Sequence, residues 1–298
     1  MNQQMLSRIT GDRGFIAALD QSGGSTPDAL RHYGIPANAY AGDDEMFRLM
    51  HQMRARIMTA PAFTSAKVLG AILFEATMDG LVQGRSAPEF LWQERGIVPF
   101  LKVDKGLEAV RNGVRMLKPI PGLEPLLERA RSKGIFGTKM RSVIDANVSA
   151  GISEIVHQQF ELGVQIATAG LMPILEPEVS IRIADKAGAE MTLRSEIMAR
   201  LDALPAERQV MIKLTIPDVA DFYRSLIEHP RVARVVALSG GYSRAQACEK
   251  LAANPGLIAS FSRALIEDLR VQSSDEQFDR DLQMAIDEIY AASNAPRV

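Results

Sequence analysis

The chain has 298 residues, of which 47% are hydrophobic and 23% are charged, values typical of a globular protein. Its 34 basic and 36 acidic residues are well mixed and give a formal net charge of −2, so the composition supports neither a nucleic-acid nor a membrane partner, which a basic patch or stripe would indicate. The single cysteine, Cys248, excludes an intrachain disulfide, and no apolar run approaches the roughly 18 residues of a membrane span, so we expect a soluble cytoplasmic protein.

Eight short β-type runs recur along the chain, each followed by a stretch of helical pattern. Most of the runs are nearly continuous in apolar residues, as expected for strands that are covered on both faces. In chain order they are GFIAALD (14–20), AKVLGAILF (66–74), IVPFLKVD (97–104), IFGTKMR (135–141), LMPILEPEV (171–179), QVMIKLTI (209–216), RVVALSGG (234–241) and LIASFSRA (257–264).

The segments between these runs show helical periodicity. In one of them, Ile152, Val156, Phe160 and Val164 recur at four-residue spacing, which predicts a helix with these side chains on its core face. A β-α alternation repeated eight times predicts an α/β fold, a TIM (β/α)8 barrel that forms a single domain over residues 1–298 with terminal helices. A doubly wound open sheet is the alternative, although no GxGxxG motif follows the first run.

Polar side chains come at the ends of these otherwise apolar runs. One such residue alone is most simply a solvated strand end or half of a structural ion pair. In a barrel, however, the carboxyl ends of all strands meet at one mouth, which predicts a mixed cluster of lysines, arginines and carboxylates there. The residues are Asp20, Lys102, Asp104, Lys139, Arg141, Glu176, Glu178, Lys213, Ser239 and Arg263.

Lys213 lies at the centre of the apolar run QVMIKLTIP, where an isolated ammonium is costly. Desolvation and a neighbouring cation such as Lys139 favour the neutral amine, which attacks a ketone or aldehyde to give a carbinolamine and then an iminium ion. The iminium withdraws electrons from the adjacent carbon, so that a C–C bond there breaks or forms without a metal. This chemistry needs acid–base groups, for which Glu176, Glu178 and Asp20 are candidates.

Two glycine-rich loops are typical of anion-binding sites. SGGYS follows the seventh run and opens a helix, so the backbone N–H of Gly240 is a candidate phosphate donor, with Arg263 on the eighth strand nearby. SGGS follows the first run, with Ser22 and Ser25 as donors, although each loop is explained equally simply as a turn and helix cap. Two such loops on either side of a lysine predict a substrate with phosphate at both ends.

Taken together, these motifs resemble those of the class I fructose-1,6-bisphosphate aldolases, in the shorter bacterial form. GFIAALDQSGGS, GAILFE, FLKVDKG, GTKMR, PILEPE, IKLTIP, LSGGYS and SFSRAL follow in the family's order, and they extend over roughly residues 14–265. The resemblance implies a TIM barrel and a Schiff-base enzyme with neither metal nor cofactor. Such an enzyme would reversibly cleave fructose 1,6-bisphosphate to dihydroxyacetone phosphate and glyceraldehyde 3-phosphate.

The resemblance also implies roles for individual residues. Lys213 would form the Schiff base. Glu176, with Lys139 beside it, would be the acid–base residue for loss of water from the carbinolamine, and Asp20 would help to remove the proton of the C4 hydroxyl. The other implied residues are Arg141 and Glu178, which would complete the charge network that orients Lys139; Ser239, Gly240 and Arg263, which would bind the phosphate of the dihydroxyacetone end; and Lys102, Ser22 and Ser25, which would face the other phosphate.

Two departures from the animal members of the family stand out. Gln21 occupies the position of a carboxylate, and the final segment AASNAPRV lacks the terminal tyrosine that animal enzymes use in proton exchange. We therefore expect a different charge near Asp20 and another group, such as Glu176 or a water, in the proton exchange.

Other functions remain open at this point. A transaldolase or a deoxyribose-phosphate aldolase would need one phosphate site, and a non-catalytic phosphosugar-binding barrel would need no reactive amine. A zinc-dependent aldolase is disfavoured because none of the four histidines pairs with another at ligand spacing. The sequence leaves the oligomeric state open, and a homo-oligomer is compatible with it.

Overall fold

The computed structural model describes residues 1–296, so the last two residues of the segment AASNAPRV lie outside the described part of the chain. Eight parallel strands follow one another in chain order around a single sheet. They are β1 (Phe15–Leu19), β2 (Val68–Leu73), β3 (Val98–Lys102), β4 (Gly137–Ile144), β5 (Met172–Val179), β6 (Val210–Thr215), β7 (Val232–Leu238) and β8 (Ile258–Ala259).

The sheet closes on itself. The backbone N–H of Ala18 in β1 donates to the carbonyl of Phe261, just after β8, at 2.9 Å. The predicted barrel is therefore confirmed and the open sheet is excluded. The eighth strand is shorter than predicted: it ends at Ala259, and Arg263, predicted to lie on that strand, begins a short helix instead.

Helices surround the barrel, and none within residues 1–296 is long and apolar enough to cross a membrane. They are α1 (Gln3–Gly11), α2 (Ser25–Tyr33), α3 (Gly42–Thr59), α4 (Glu75–Asp79), α5 (Ala87–Glu89), α6 (Leu123–Ser132), α7 (Ser149–Thr168), α8 (Lys186–Asp202), α9 (Arg224–Ile227), α10 (Arg244–Ala252), α11 (Arg263–Ile266) and α12 (Asp275–Ser293). A 3-10 turn spans Ala37–Ala39, a π-helical turn spans Phe90–Glu94, Leu81–Val82 and Arg85–Ser86 form a hairpin, and Val114–Arg115 pairs with β4.

One predicted helix face is wrong at its last position. Ile152, Val156 and Phe160 of α7 are buried, but Val164 is 37% exposed. The reason is geometric: a helix turns about 100° per residue, so each four-residue step drifts by about 40°, and the fourth member of the series has rotated away from the core.

The barrel interior is filled by apolar side chains at its amino-terminal end. Ile16, Phe100 and Met172 belong to this inner cluster, which is separate from the larger core between strands and helices. Gly137 makes room for the Phe100 ring, because a Cβ there would lie 2.9 Å from the ring and 2.3 Å from the carbonyl of Met172. Since side chains alternate along a strand, positions farther towards the carboxyl ends point into the mouth.

Candidate active site

The carboxyl ends of the strands surround a cavity of about 1110 Å³. On two of the strands, the inward-facing side chains are apolar towards the amino-terminal end of the barrel and ionisable towards the mouth. On β6, Met211 is part of the inner cluster and Lys213 follows two residues later, and on β5 Ile174 is followed by Glu176. All twelve candidate site residues line this cavity: Asp20, Ser22, Ser25, Lys102, Lys139, Arg141, Glu176, Glu178, Lys213, Ser239, Gly240 and Arg263.

Four of these side chains form one continuous network of ion pairs. Lys213 Nζ lies 3.1 Å from Glu176 Oε1, and Glu176 Oε2 lies 3.0 Å from Lys139 Nζ. Lys139 Nζ in turn lies 2.6 Å from Asp20 Oδ2. All four are buried, with at most 7% of any residue exposed. Glu176 thus contacts both lysines, which places a proton acceptor directly beside the Lys213 amine.

The charges in this network fix one another's protonation states. Burial alone would raise the pKa values of Asp20 and Glu176, but the positive charges of Lys139 and Lys213 outweigh it and hold both pKa values below their usual range. Burial alone would lower the pKa of Lys139, whereas the negative charges of Asp20 and Glu176 outweigh it and raise that pKa. At neutral pH both carboxylates are therefore ionised and Lys139 carries a proton.

A pH-dependent contribution to stability follows for Asp20. A carboxylate whose pKa is depressed in the folded state adds stability that is fully present above its unfolded pKa of about 4 and is lost as the pH falls towards the folded pKa. We expect Asp20→Asn to be less stable than the wild type at pH 7, because Lys139 then faces one carboxylate instead of two. The difference in the free energy of unfolding should shrink between about pH 5 and pH 3.

Urea unfolding of both proteins across this pH range measures the difference. Asp28→Asn is the matched control, because Asp28 is exposed and pairs with the exposed Arg31, so its effect should be small at every pH. A difference for Asp20→Asn that stays constant from pH 7 to pH 3 would contradict the depressed pKa.

Two further ion pairs lie beside this network. Lys102 Nζ lies 2.5 Å from Asp104 Oδ1, and Arg141 Nε lies 2.5 Å from Glu178 Oε2. The resemblance implied that Arg141 and Glu178 complete the charge network that orients Lys139. The ion pairs of Lys139 itself are with Asp20 and Glu176, and the positive charge of Arg141 acts on Glu176. Lys102 already has an anionic partner, so a bound phosphate would share it with Asp104.

The two glycine-rich loops are held in their conformations in different ways. In the loop after β7, Gly240 has φ +64° and Gly241 has φ +111°, conformations that favour glycine, and a Cβ on Gly240 would lie 3.0 Å from Ile181. In the loop after β1, the Ser25 hydroxyl donates to the Ser22 carbonyl at 2.9 Å and accepts from the Ser22 N–H at 3.1 Å. The second loop is therefore held by its own local hydrogen bonds.

The helix that follows the loop after β7 has a local N-terminal cap. Ser243 precedes α10, and its hydroxyl accepts from the N–H of Gln246 while the Gln246 side chain accepts from the Ser243 N–H. This capping box ends the loop at a defined point. The mouth therefore has a glycine turn on one side, and Arg263 is exposed at the same edge.

The cavity wall also contains polar residues that were not among the candidates. Gln21, Lys105, Ser260, Ser262 and Arg270 all line it. The Ser260 hydroxyl is buried and has no hydrogen-bond partner within residues 1–296, so it is a free donor beside the Arg263 segment. Lys105 follows directly after FLKVD and was within reach of sequence reasoning, whereas Arg270 lies beyond the last strand and carries no local signal.

Across residues 1–296, no three or more His, Cys, Asp or Glu side chains are grouped so that they could hold a metal ion. The histidines lie on or beside the outer helices, for example His157 on α7, which is paired with Glu161.

Comparison with known proteins gives consistent results. The sequence model of the family described as "Fructose-bisphosphate aldolase class-I" matches residues 10–216. The chain is 55% identical over 292 residues to "Fructose-bisphosphate aldolase class 1" of Synechocystis sp., covering 98% of this chain and 97% of that protein. It is 53% identical over 293 residues to the protein of the same name from Porphyromonas gingivalis, covering 98% and 99%.

A solved structure shares the fold. The fructose-bisphosphate aldolase of Plasmodium falciparum superimposes with a TM-score of 0.76 at 18% sequence identity, over 98% of this chain and 94% of that one. At this identity the match supports the barrel architecture and no more.

Proposed function

The chain belongs to the class I fructose-bisphosphate aldolase family, and from this premise we propose that Lys213 is the amine that forms the Schiff base with the substrate. The protein is a carbon–carbon lyase that reversibly cleaves fructose 1,6-bisphosphate to dihydroxyacetone phosphate and glyceraldehyde 3-phosphate, a step of glycolysis. The observation that carries the choice of Lys213 is its buried Nζ, 3.1 Å from the Glu176 carboxylate.

The first stage is attack on the substrate ketone. Lys213 adds to C2 to give a carbinolamine, and Glu176 transfers the protons that allow the carbinolamine hydroxyl to leave as water. The protonated Lys139 beside it favours the carboxylate form of Glu176, so Glu176 passes on each proton that it accepts during this stage and returns to the carboxylate. The product of this stage is an iminium ion on Lys213.

The second stage is cleavage of the C3–C4 bond. Asp20, ionised and held by Lys139, takes the proton of the C4 hydroxyl. The C4 carbonyl forms as glyceraldehyde 3-phosphate leaves, and the electron pair of the broken bond passes to the iminium, which becomes an enamine. Protonation at C3 and hydrolysis of the resulting imine release dihydroxyacetone phosphate and restore the Lys213 amine.

The two phosphates of the substrate would lie at opposite sides of this network of ion pairs. Ser239, Gly240 and Arg263 are proposed to bind the phosphate of the dihydroxyacetone end, supported by the glycine turn at Gly240 and the exposed guanidinium of Arg263. The other phosphate is assigned to the following residues: Lys102, Ser22 and Ser25.

The proposal extends to location and assembly. A cytoplasmic location suits an enzyme of glycolysis whose sequence has a single cysteine, Cys248. A homo-oligomer would cover some of the exposed large apolar side chains, such as Leu81, Met191 and Met284.

Trapping the Schiff base tests the assignment. Incubation with dihydroxyacetone phosphate and sodium borohydride should reduce the imine to a stable secondary amine, and peptide mapping should find the triose phosphate on Lys213. Inclusion of EDTA should leave the trapped fraction unchanged. Labelling confined to Lys139 or Lys102, or no labelling while cleavage proceeds, would overturn the assignment of Lys213.

A further inference from the structure

One arginine in the protein interior has no part in the mechanism proposed above. Arg54 of α3 is 1% exposed and is one of the largest fully buried side chains in the described part of the chain. Its neighbours on the buried face of the helix are apolar, among them Met50, Met53 and Ile57. A buried guanidinium is normally paired with a carboxylate, because an unpaired one is costly.

The partners of Arg54 are all neutral. One guanidinium nitrogen, Nη2, donates to the backbone carbonyl of Gln21 at 2.5 Å and lies 3.4 Å from the Gln21 side-chain oxygen. The other, Nη1, donates to the Thr77 hydroxyl at 2.7 Å, and the group lies 5.9 Å from the centre of the Phe74 ring. Within residues 1–296, no carboxylate oxygen lies within 4.0 Å of this arginine.

The charge nevertheless persists. Burial lowers the pKa of Arg54 to about 10, with the negative charge of Asp20 acting in the opposite direction. The side chain therefore remains protonated at neutral pH, and Asp20 is the carboxylate whose field it feels. Retaining an unpaired cation at this cost indicates that its hydrogen bonds are needed where they are made.

One of those hydrogen bonds holds the residue after Asp20. Gln21 receives the Arg54 guanidinium at its backbone carbonyl, and its side-chain amide donates to the Ser262 hydroxyl at 2.8 Å. Ser262 directly precedes Arg263. Thr77 lies on α4, just after β2, so Arg54 connects segments that follow β1, β2 and, through Gln21, β8.

We propose that Arg54 is a positioning residue of the aldol reaction, which holds the Asp20–Gln21 segment in place and, through the Gln21 amide, steadies the Ser262–Arg263 segment. This inference rests on the proposed function, in which Asp20 takes the C4 proton. Arg54 acts through Asp20 and Gln21 and does not touch the substrate.

The position of Arg54 separates two stages of the reaction. Lys213 and Glu176 lie on β6 and β5, and neither is a hydrogen-bond or ion-pair partner of Arg54, so Schiff-base formation should not depend on it. C3–C4 cleavage requires the Asp20 carboxylate at the C4 hydroxyl, and a displacement of about 1 Å in such a group lowers a rate by up to about 100-fold. Loss of Arg54 should therefore slow cleavage selectively.

The test compares Arg54→Met and Arg54→Lys with the wild type in two assays. One measures kcat and KM for fructose 1,6-bisphosphate cleavage, and the other measures the rate of borohydride trapping of dihydroxyacetone phosphate on Lys213. For Arg54→Met we expect kcat to fall about 10- to 100-fold while the trapping rate stays within about 3-fold of wild type. Arg54→Lys, which keeps the charge but has one donor nitrogen in place of the two that Arg54 uses, should recover part of the lost kcat.

Arg234→Met is the matched control. Arg234 lies on β7, and its guanidinium donates to the backbone carbonyls of Ile9 and Asp12, which precede β1 and so lie at the opposite end of the barrel from Asp20. This variant should lower the melting temperature but leave both rates near wild type, which distinguishes a general loss of structure from loss of positioning.

Several outcomes would overturn the inference. They are an unchanged kcat in Arg54→Met, or a fall of cleavage and trapping by the same factor. If Arg54→Met does not fold, Arg54→Lys decides, and wild-type cleavage by that variant would overturn the inference. Failure of the wild type to be trapped at Lys213 would instead refute the proposed function, so the two ideas fail separately.

Discussion

Replacing Lys213 by methionine is expected to lower kcat for fructose 1,6-bisphosphate cleavage by about 10⁴-fold or more, because methionine keeps the bulk of the side chain but cannot form an imine. Without the iminium there is no group to accept the electron pair of the C3–C4 bond. The same variant should give no borohydride adduct by intact mass. The variant should still fold, because Glu176, the one carboxylate within 4 Å of Lys213, keeps its ion pair with Lys139.

A control variant distinguishes the loss of the nucleophile from the loss of a lysine. Lys250 lies on α10 and pairs with Asp218 outside the cavity, so Lys250→Met should retain wild-type cleavage and trapping. Residual cleavage by Lys213→Met within about 10-fold of wild type would show that another group, with Lys139 the first candidate, is the nucleophile.

Glu176→Gln is expected to have the second largest effect, a fall in kcat of about 10²- to 10⁴-fold. Glutamine keeps the shape and one acceptor oxygen but cannot carry the proton needed to expel water from the carbinolamine. It also leaves Lys139 with one carboxylate, Asp20, and Lys213 with none at ion-pair distance. The rate of imine formation, followed by rapid-quench borohydride trapping, should fall along with kcat.

Glu190→Gln is the matched control for Glu176→Gln. Glu190 is 2% exposed and lies 2.8 Å from Lys186 on α8, so it is an equally buried carboxylate paired with a lysine but outside the cavity. Its replacement should lower stability without changing the trapping rate. A normal trapping rate in Glu176→Gln would remove Glu176 from the dehydration step and leave it a structural role between the lysines.

The sequence by itself determined the barrel and the kind of chemistry at its mouth. Strand positions follow from short apolar runs, which depend on local composition alone. The two-residue alternation along a strand then fixes that Glu176 shares a face with Ile174, and Lys213 with Met211. Because all parallel strands end at the same face, these polar residues had to meet there, whatever the details of the packing.

Only the tertiary structure decided which charges pair. Asp20 directly follows β1 and Lys139 lies on β4, three strands away, and they touch because the curvature of the barrel brings these strand ends together across the mouth. The pairing of Arg141 with Glu178 depends in the same way on strand register and rotamer, neither of which leaves a trace in the local sequence.

Arg54 shows the limit most clearly. Helical periodicity places Arg54 four residues from Met50, beside the apolar face of α3, and Arg48 on the opposite, exposed side. An arginine at such a boundary is still expected to reach solvent, and the local sequence gives no sign of the partners that a buried guanidinium needs. Arg54 is buried because its partners, Gln21 and Thr77, reach the same point from distant parts of the chain. Periodicity encodes which element forms, whereas contacts between elements are fixed only when the barrel closes.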